Sequence, residues 1–176
     1  MLPAALAADP GALPRFCRWL TPSAETRRFD TDFFLVALPP DQQPVVDARE
    51  VFDLRWLTPQ AALAEAEAGK LRLPPPTHAT LWALQQELRR AAGSTGPALV
   101  AAVLRAAAGR ATPRITPRLW MSATAQPEPV VVLPWAPEFP GIPGEGEPLP
   151  PPQSAAPGDD PPLRYRLGEG GFLPER

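Results

Sequence analysis

The amino-acid sequence predicts an α/β fold of the α+β type that ends in an irregular, proline-rich segment. The first observation is that runs of β-favouring residues are followed by stretches with helix caps and helix-forming residues. The second is that Pro and Gly recur every few residues from Pro134 onward, where neither helix nor sheet hydrogen bonding can persist. At 176 residues, of which 44% are hydrophobic and 20% charged, the rest of the chain can bury a core.

Two segments in the first third of the chain are predicted to be strands. Residues 31–38 are rich in aromatic and branched side chains and stop at two prolines, which predicts a buried strand. Residues 51–57 alternate apolar and charged side chains, as in a strand covered on one face. Residues 1–16, interrupted by two prolines, suggest a short helix or two turns.

Three helices are predicted after these strands. Thr58 suits an N-cap, and Gly69 suits the left-handed residue that ends the first helix. The second helix is expected over residues 77–93, following three prolines that hold the approach extended. The third is expected over residues 97–108.

Residues 114–121 and 130–133 are two short extended runs that can pair as a hairpin across the intervening turn. We therefore divide the chain into a folded part (residues 1–110), a hairpin extension (residues 111–133) and an irregular tail (residues 134–176).

Composition excludes several classes of function. A net charge of −2 and a pI near 5.5 argue against nucleic acid as a partner. Cys17 is the only cysteine and His78 the only histidine, so neither an internal disulfide nor a zinc site is predicted. The apolar start lacks a basic region and is broken by prolines, so we expect neither a signal peptide nor a membrane span, and a cytoplasmic protein. The near absence of Lys beside abundant Arg is typical of GC-rich bacterial genomes.

Four local patterns occur in a fixed order and are far more specific together than singly. They are Trp19-Leu20-Thr21-Pro22, Arg28-Phe29-Asp30-Thr31-Asp32-Phe33-Phe34, Asp47-Ala48-Arg49-Glu50 leading to Trp56-Leu57-Thr58-Pro59, and Leu73-Pro74-Pro75-Pro76-Thr77. This arrangement resembles the Nudix hydrolase superfamily, and within it the branch of the coenzyme A diphosphatases. The resemblance covers roughly residues 13–90.

The resemblance implies an α/β/α sandwich, of which this chain carries the C-terminal part. It also implies a signature helix, Gly-x5-Glu-x7-Arg-Glu-x2-Glu-Glu-x-Gly, whose carboxylates bind Mg²⁺ or Mn²⁺. The sequence contains no Glu-Glu pair, and its single Arg-Glu, at Arg49-Glu50, has neither the upstream glutamate nor the following acids. We therefore predict that the chain lacks the metal-binding signature and supplies no metal ligands.

Three residues are candidates for a site. By position, Glu50 resembles a downstream glutamate that acts in some family members as a base or extra metal ligand; the alternative is a solvated loop acid. Arg27 and Arg28 could bind the phosphates of a substrate. The alternative for the arginines is ion pairing with Asp30 or Asp32.

The remaining conspicuous residues favour structural roles. Trp19, Trp56 and Trp82 could stack on an adenine or a pantetheine, but large aromatic residues are more often part of the core. His78 and Cys17 have no sequence partners that would make them catalytic.

Two functions stay open at this point. The first is a Nudix-type hydrolase of a nucleoside-diphosphate-linked or coenzyme A-type small molecule, in a reading frame that starts too late. The second is a non-catalytic nucleotide-binding, coenzyme A-binding or interaction module derived from the fold. A third and weaker hypothesis takes residues 148–152 as a polyproline ligand. Unpaired strand edges also predict self-association.

Overall fold

The computed structural model describes residues 13–39, 41–46, 48–49, 53–122, 127–168 and 171–176. Within these ranges the chain has an α+β fold of three helices and two sheets. The helices are α1 (Pro59–Glu67), α2 (Pro75–Arg90) and α3 (Gly96–Ala108). The strands are β1 (Arg15–Leu20), β2 (Asp30–Phe34), β3 (Arg114–Ile115), β4 (Arg118–Met121), β5 (Pro129–Val132), β6 (Arg164–Gly168) and β7 (Gly171–Glu175). No helix in these ranges has the length and apolar character needed to cross a membrane.

The strands form one mixed and one antiparallel sheet. The first has the order β2-β1-β3, with β1 antiparallel to β2 and parallel to β3. The second has the order β4-β5-β6-β7 and is antiparallel throughout. The fold class is therefore the predicted one, and it is compatible with part of an α/β/α sandwich.

The three predicted helices are confirmed, and local chemistry explains their ends. The hydroxyl of Thr58 accepts a hydrogen bond from the Ala61 backbone N–H at 3.1 Å, which satisfies one free donor at the start of α1. Gly69, just beyond α1, has a φ of +70°, a conformation that glycine adopts without steric cost. Helix α2 begins at Pro75, two residues earlier than predicted, because proline is well suited to a first helical turn.

Three expectations from the sequence about the first third of the chain were wrong. Residues 31–38 were expected to form a buried strand, but β2 ends at Phe34, and among residues 31–38 only Phe33 and Leu35 are even partly buried, because β2 lies at the edge of its sheet. Residues 1–16 were expected to form a short helix or two turns; of these, residues 15 and 16 lie in β1, because pairing with β2 provides hydrogen bonds that the local pattern does not reveal. Residues 53–57, expected to be a strand, form neither strand nor helix, whereas residues 51 and 52 lie outside the described ranges. In this segment Trp56 is 73% exposed and the Arg55 guanidinium pairs with both carboxylate oxygens of Glu65 at 2.7 Å.

The C-terminal segment is partly irregular and partly strand. Residues 134–163 contain one 3-10 turn, Phe139–Gly141, and otherwise no helix or strand, as the Pro and Gly pattern predicts. The expectation of irregular structure was wrong for β6 and β7, which continue the sheet that the predicted β4–β5 hairpin begins. The physical reason is that β5 offers a free edge, and pairing there buries Tyr165 completely.

Strand β5 lies between two parts of the core. Because side chains alternate across a strand, Val131 packs with Trp19, Ala79, Leu133 and Tyr165. The neighbouring valines of β5 pack on the opposite side, in a cluster made of Val130, Val132, Ala136, Phe139 and Ile142. Strand β5 is thus covered by apolar residues on both faces.

Candidate functional site

A cavity of about 210 Å³ lies between β1, β2, the start of α2 and the second sheet. We call it the Trp19 pocket. Its walls are mostly apolar, and Glu25 is the only acidic residue among them. The lining residues are Trp19, Leu20, Thr21, Pro22, Glu25, Phe29, Thr31, Pro75, Pro76, Pro117, Leu119, Val131 and Phe172.

Three of the four sequence patterns meet in this pocket. The first contributes residues 19–22, the second Phe29 and Thr31, and the fourth the two prolines that open α2. Strand pairing holds the first two together, since Trp19 is the register partner of Thr31. Beyond the strands, the Thr21 backbone N–H donates to the Phe29 carbonyl at 3.0 Å, and the Phe29 N–H donates to the Thr21 hydroxyl at 2.9 Å.

The three tryptophans differ in environment. Trp19 is 3% exposed, and its indole Nε1 is buried without a hydrogen bond of ordinary geometry to any described residue. Trp82 is also buried, and its Nε1 donates to the Asp159 carboxylate at 3.2 Å. The expectation that these two belong to the core is confirmed, whereas for Trp56 it was wrong. Trp19 is the one of the three that lines the pocket.

Arg27 lies beside the pocket. Its guanidinium carbon is 5.0 Å from the centroid of the Phe29 ring, a cation–π distance. Within the described ranges no carboxylate forms an ion pair with Arg27. The positive charge of Arg27 therefore lies close to a wall of the Trp19 pocket, and no acidic residue in the described ranges neutralises it.

Arg28 is engaged differently. Its Nε donates to the Thr21 carbonyl at 3.0 Å, and its two terminal nitrogens lie 2.8 and 3.3 Å from the two carboxylate oxygens of Glu145. The same contact lowers the pKa of Glu145 below its ordinary value, because the guanidinium favours the charged carboxylate. Arg28 thus ties the wall of the Trp19 pocket to the C-terminal segment.

The alternative expectation, that Arg27 and Arg28 pair with Asp30 or Asp32, was wrong. Asp30 pairs with Arg18, at 2.8 and 2.6 Å, and Asp32 pairs with Arg15 at 3.3 Å. These pairs cross between β1 and β2, because each aspartate lies opposite or diagonal to an arginine in the antiparallel register.

The third candidate, Glu50, lies outside the described residues. In the part that is described, no group of three or more His, Cys, Asp or Glu side chains is placed to hold a metal ion. Glu25 is the single acid in the pocket lining, and two further acids near it are paired with arginines, Asp30 with Arg18 and Glu145 with Arg28. These residues do not fit a Mg²⁺ or Mn²⁺ site, which needs several clustered oxygen ligands.

His78 is buried, and Cys17 is partly buried against the core that contains Trp19. The Nδ1 of His78 is 3.0 Å from the Tyr165 hydroxyl, and burial lowers the pKa of His78 to about 4, with the charge of Arg176 acting in the same direction. The Cys17 sulfur lies 3.1 Å from the Thr80 hydroxyl, and burial raises the pKa of its thiol. At neutral pH the imidazole is therefore uncharged and the thiol protonated.

Comparison with known proteins relates part of this chain to one superfamily. The chain is 39% identical over 71 residues to the acyl-coenzyme A diphosphatase NUDT19 of Xenopus laevis and 42% identical over 72 residues to the human protein of that name. It is 37% identical over 70 residues to the putative nudix hydrolase 7 of Caenorhabditis elegans. Part of this chain is related to the coenzyme A diphosphatases of the Nudix superfamily. The relationship that the four patterns indicate is confirmed.

The extent of this relationship is limited. The matched segments cover 37% to 39% of this chain, and 18%, 23% and 19% of the Xenopus, Caenorhabditis and human proteins. The chain thus spans about a fifth of the length of the curated relatives it matches. No protein-family profile matches the chain, and no solved structure does.

The sequence patterns missed the far wall of the Trp19 pocket. Leu119 and Val131 come from the β4–β5 hairpin, and Phe172 from β7. Part of this wall was indicated by the predicted hairpin, because Leu119 and Val131 are register partners and register partners share a face of the sheet. Nothing local indicated that this face would meet Trp19, or that Glu145 would meet Arg28.

Proposed function

We propose that this chain forms the substrate-holding part of a Nudix-type hydrolase that acts on a coenzyme A-type or other nucleoside-diphosphate-linked molecule. The observation that carries the proposal is the convergence of three family-like patterns on one apolar pocket with Arg27 at its side. The names of the relatives, two of them acyl-coenzyme A diphosphatases, support the same class of substrate.

The pocket suits the apolar portion of such a substrate. At about 210 Å³ it is smaller than typical sites for whole cofactors, so it accommodates part of a ligand rather than a complete nucleotide. Acyl groups are narrow and apolar, and pantetheine is a narrow chain that contains two amide groups. Both would bury apolar surface against Trp19, Leu119 and Phe172. The indole N–H of Trp19, which makes no hydrogen bond of ordinary geometry to a described residue, could donate to an amide carbonyl of the ligand.

Arg27 is our candidate for contact with the diphosphate. A guanidinium can donate two parallel hydrogen bonds to phosphate oxygens. Arg27 has no acid partner among the described residues, so phosphate binding would not require it to break an ion pair with them. Arg28 remains a second candidate, but it would have to give up its contact with Glu145. We therefore assign Arg27 the larger share of phosphate binding.

The hydrolytic step requires more than these residues supply. In the Nudix superfamily a divalent ion polarises the diphosphate and activates water. Because the described acids do not form such a site, we assign no step of bond cleavage to them. What the described residues can do is hold the apolar part of the substrate and neutralise phosphate charge.

The test is to measure coenzyme A and ADP binding by calorimetry and hydrolysis by chromatography, with and without Mg²⁺. We expect Arg27→Ala to weaken coenzyme A binding about tenfold and Arg28→Ala to weaken it less. Arg105→Ala, on α3, is the control for loss of a surface charge. If coenzyme A does not bind, or if Arg27→Ala has no more effect than Arg105→Ala, the proposal is wrong.

A second candidate function is a binding or interaction module that holds the same ligand without cleaving it. The absence of a carboxylate cluster from the described residues favours it. The same experiment separates the two functions. Coenzyme A binding without Mg²⁺-dependent products supports the binding module, whereas appearance of the two cleavage products, 4′-phosphopantetheine and adenosine 3′,5′-bisphosphate, supports the hydrolase.

A further inference from the structure

Most of the large hydrophobic side chains that are exposed in the described part of the chain lie near β2 or in the segment that follows it. Seven of the twelve large hydrophobic side chains that are exposed lie between residues 29 and 56. Three of them follow one another at alternate positions, with exposed fractions of 41% for Phe34, 69% for Val36 and 45% for Leu38. Alternate positions of an extended chain lie on the same face.

Strand β2 is also an edge strand. In the order β2-β1-β3 it has β1 on one side and no described strand on the other. The Thr21 N–H bonds the Phe29 carbonyl, and the Leu35 N–H donates to the Pro14 carbonyl at 3.1 Å, so the odd-numbered residues direct their backbone groups toward β1. By the alternation of an antiparallel ladder, the even-numbered residues direct theirs toward the open edge.

The side chains divide in the same way. Phe33 is half-buried and packs against the core that contains Trp19 and Tyr165, whereas Phe34 is exposed. The open edge of β2 therefore combines free backbone donors and acceptors with a row of apolar side chains. Long apolar edges of this kind form strand-to-strand contacts between chains.

We propose that this edge pairs with the same edge of a second copy of the chain, as antiparallel β2 strands related by a twofold axis at Val36. In this register Val36 faces Val36 of the other copy, and Phe34 faces Leu38. All of these are even-numbered residues, so their outward N–H and C=O groups can exchange hydrogen bonds across the axis. Residues 36–38, which lie beyond β2 in the single chain, continue the strand in the pair.

Charge supports a second copy as the occupant. The acids of β2 are already neutralised within the chain, Asp30 by Arg18 and Asp32 by Arg15. A twofold axis at Val36 places neither aspartate opposite its own copy, so no like charges meet directly. An antiparallel pair of identical edges satisfies both edges at once and closes the assembly at two copies.

The experiment is sedimentation velocity of the full chain from low to high micromolar concentration. Val36→Lys is compared with Val45→Lys, since Val45 is 86% exposed and lies outside β2. We expect the native chain and Val45→Lys to form dimers, and Val36→Lys to dissociate at least about tenfold more readily. Amide exchange on the native chain provides a test without substitution, because Phe34 and Val36 should become protected as the dimer forms.

A native chain that is monomeric at every concentration would overturn the proposal. So would a dimer that Val36→Lys leaves intact, a dimer equally weakened by Val45→Lys, open-ended aggregates in place of a dimer, or a different polypeptide found at the β2 edge. Neither Val36 nor Val45 lines the Trp19 pocket, so these outcomes are independent of coenzyme A binding.

Discussion

The hydroxyl of Tyr165 and the Nδ1 of His78 lie 3.0 Å apart, which joins β6 to α2 within the core. Both side chains are almost completely buried, at 0% and 2% exposure. The rings meet edge to face, with an interplanar angle of 78° and centroids 5.4 Å apart. This contact connects the C-terminal segment to the family-like region, so both should contribute to one cooperative unit.

Replacing Tyr165 by Phe should destabilise the protein. The substitution retains the ring but leaves the Nδ1 of His78 buried without its partner, which costs about 1 to 3 kcal/mol. Urea denaturation followed by tryptophan fluorescence measures the change. Leu167→Ala, at an exposed position of the same strand, is the control and should cost much less. Equal stability of Tyr165→Phe and the native chain would show that the contact contributes nothing.

Mild acid should destabilise the fold through His78. Its pKa falls from about 6.5 to about 4 on folding, chiefly because burial disfavours the charged imidazole. Between these values the unfolded chain binds a proton that the folded chain does not, so stability is full above pH 6.5 and declines toward pH 4. The shift corresponds to a loss of about 3 kcal/mol at most.

The measurement is the urea midpoint at several pH values between 7.5 and 4.5. His78→Gln removes the titrating group and should flatten the dependence, whatever its effect on absolute stability. Persistence of the same slope in His78→Gln would attribute the acid sensitivity to other groups.

Asp159 should be essential for holding residues 154–160 on α2. Its carboxylate accepts hydrogen bonds from Trp82 Nε1 at 3.2 Å and Gln86 Nε2 at 2.9 Å, and it also pairs with Arg89. Asp159→Ala leaves the buried N–H donors of Gln86 and Trp82 without their acceptor and should lower the free energy of unfolding by about 2 to 4 kcal/mol. Thermal denaturation measures it.

The adjacent Asp160 provides a matched control for this substitution. It is exposed, and Asp160→Ala should change stability by less than about 0.5 kcal/mol. Similar losses for the two alanine variants would mean that the segment is not held through the Asp159 carboxylate.

Releasing Arg28 from Glu145 should strengthen phosphate binding. Glu145→Gln removes the negative charge that holds the Arg28 guanidinium, so that this group becomes available beside the Trp19 pocket. We expect coenzyme A to bind about threefold more tightly, as measured by calorimetry. Glu147→Gln changes the same charge two residues away and should leave affinity unaltered. Weaker binding in Glu145→Gln would instead indicate that the ion pair positions the pocket wall.

The helices were predictable because their signals are local. Thr58 at the start of α1 and Gly69 beyond its end act within a few residues of the positions they define. The β4–β5 hairpin was predictable for the same reason. Strand β6 also has a local signal, since Arg164-Tyr165-Arg166-Leu167 alternates charged and apolar residues before a glycine-rich run.

The Trp19 pocket was only half predictable. The patterns that contribute Trp19, Phe29 and Pro75 could be recognised, because each is a short run with a characteristic order. The different roles of Arg27 and Arg28 could not be predicted. They differ because Arg28 pairs with Glu145, which lies 117 residues further along the chain. Nothing in the local sequence encodes a contact of that separation.

By itself the sequence determined the α+β class, the three helices, the hairpin and the kinship with Nudix hydrolases, because capping residues, periodicity and ordered motifs act over short distances. Only the tertiary structure decided that Arg15–Leu20 pairs as a strand, that Trp56 remains exposed, and that β6 and β7 complete a sheet around Tyr165. The physical reason is that a strand gains its hydrogen bonds and its burial from neighbours distant in the chain, whereas a helix supplies its own hydrogen bonds.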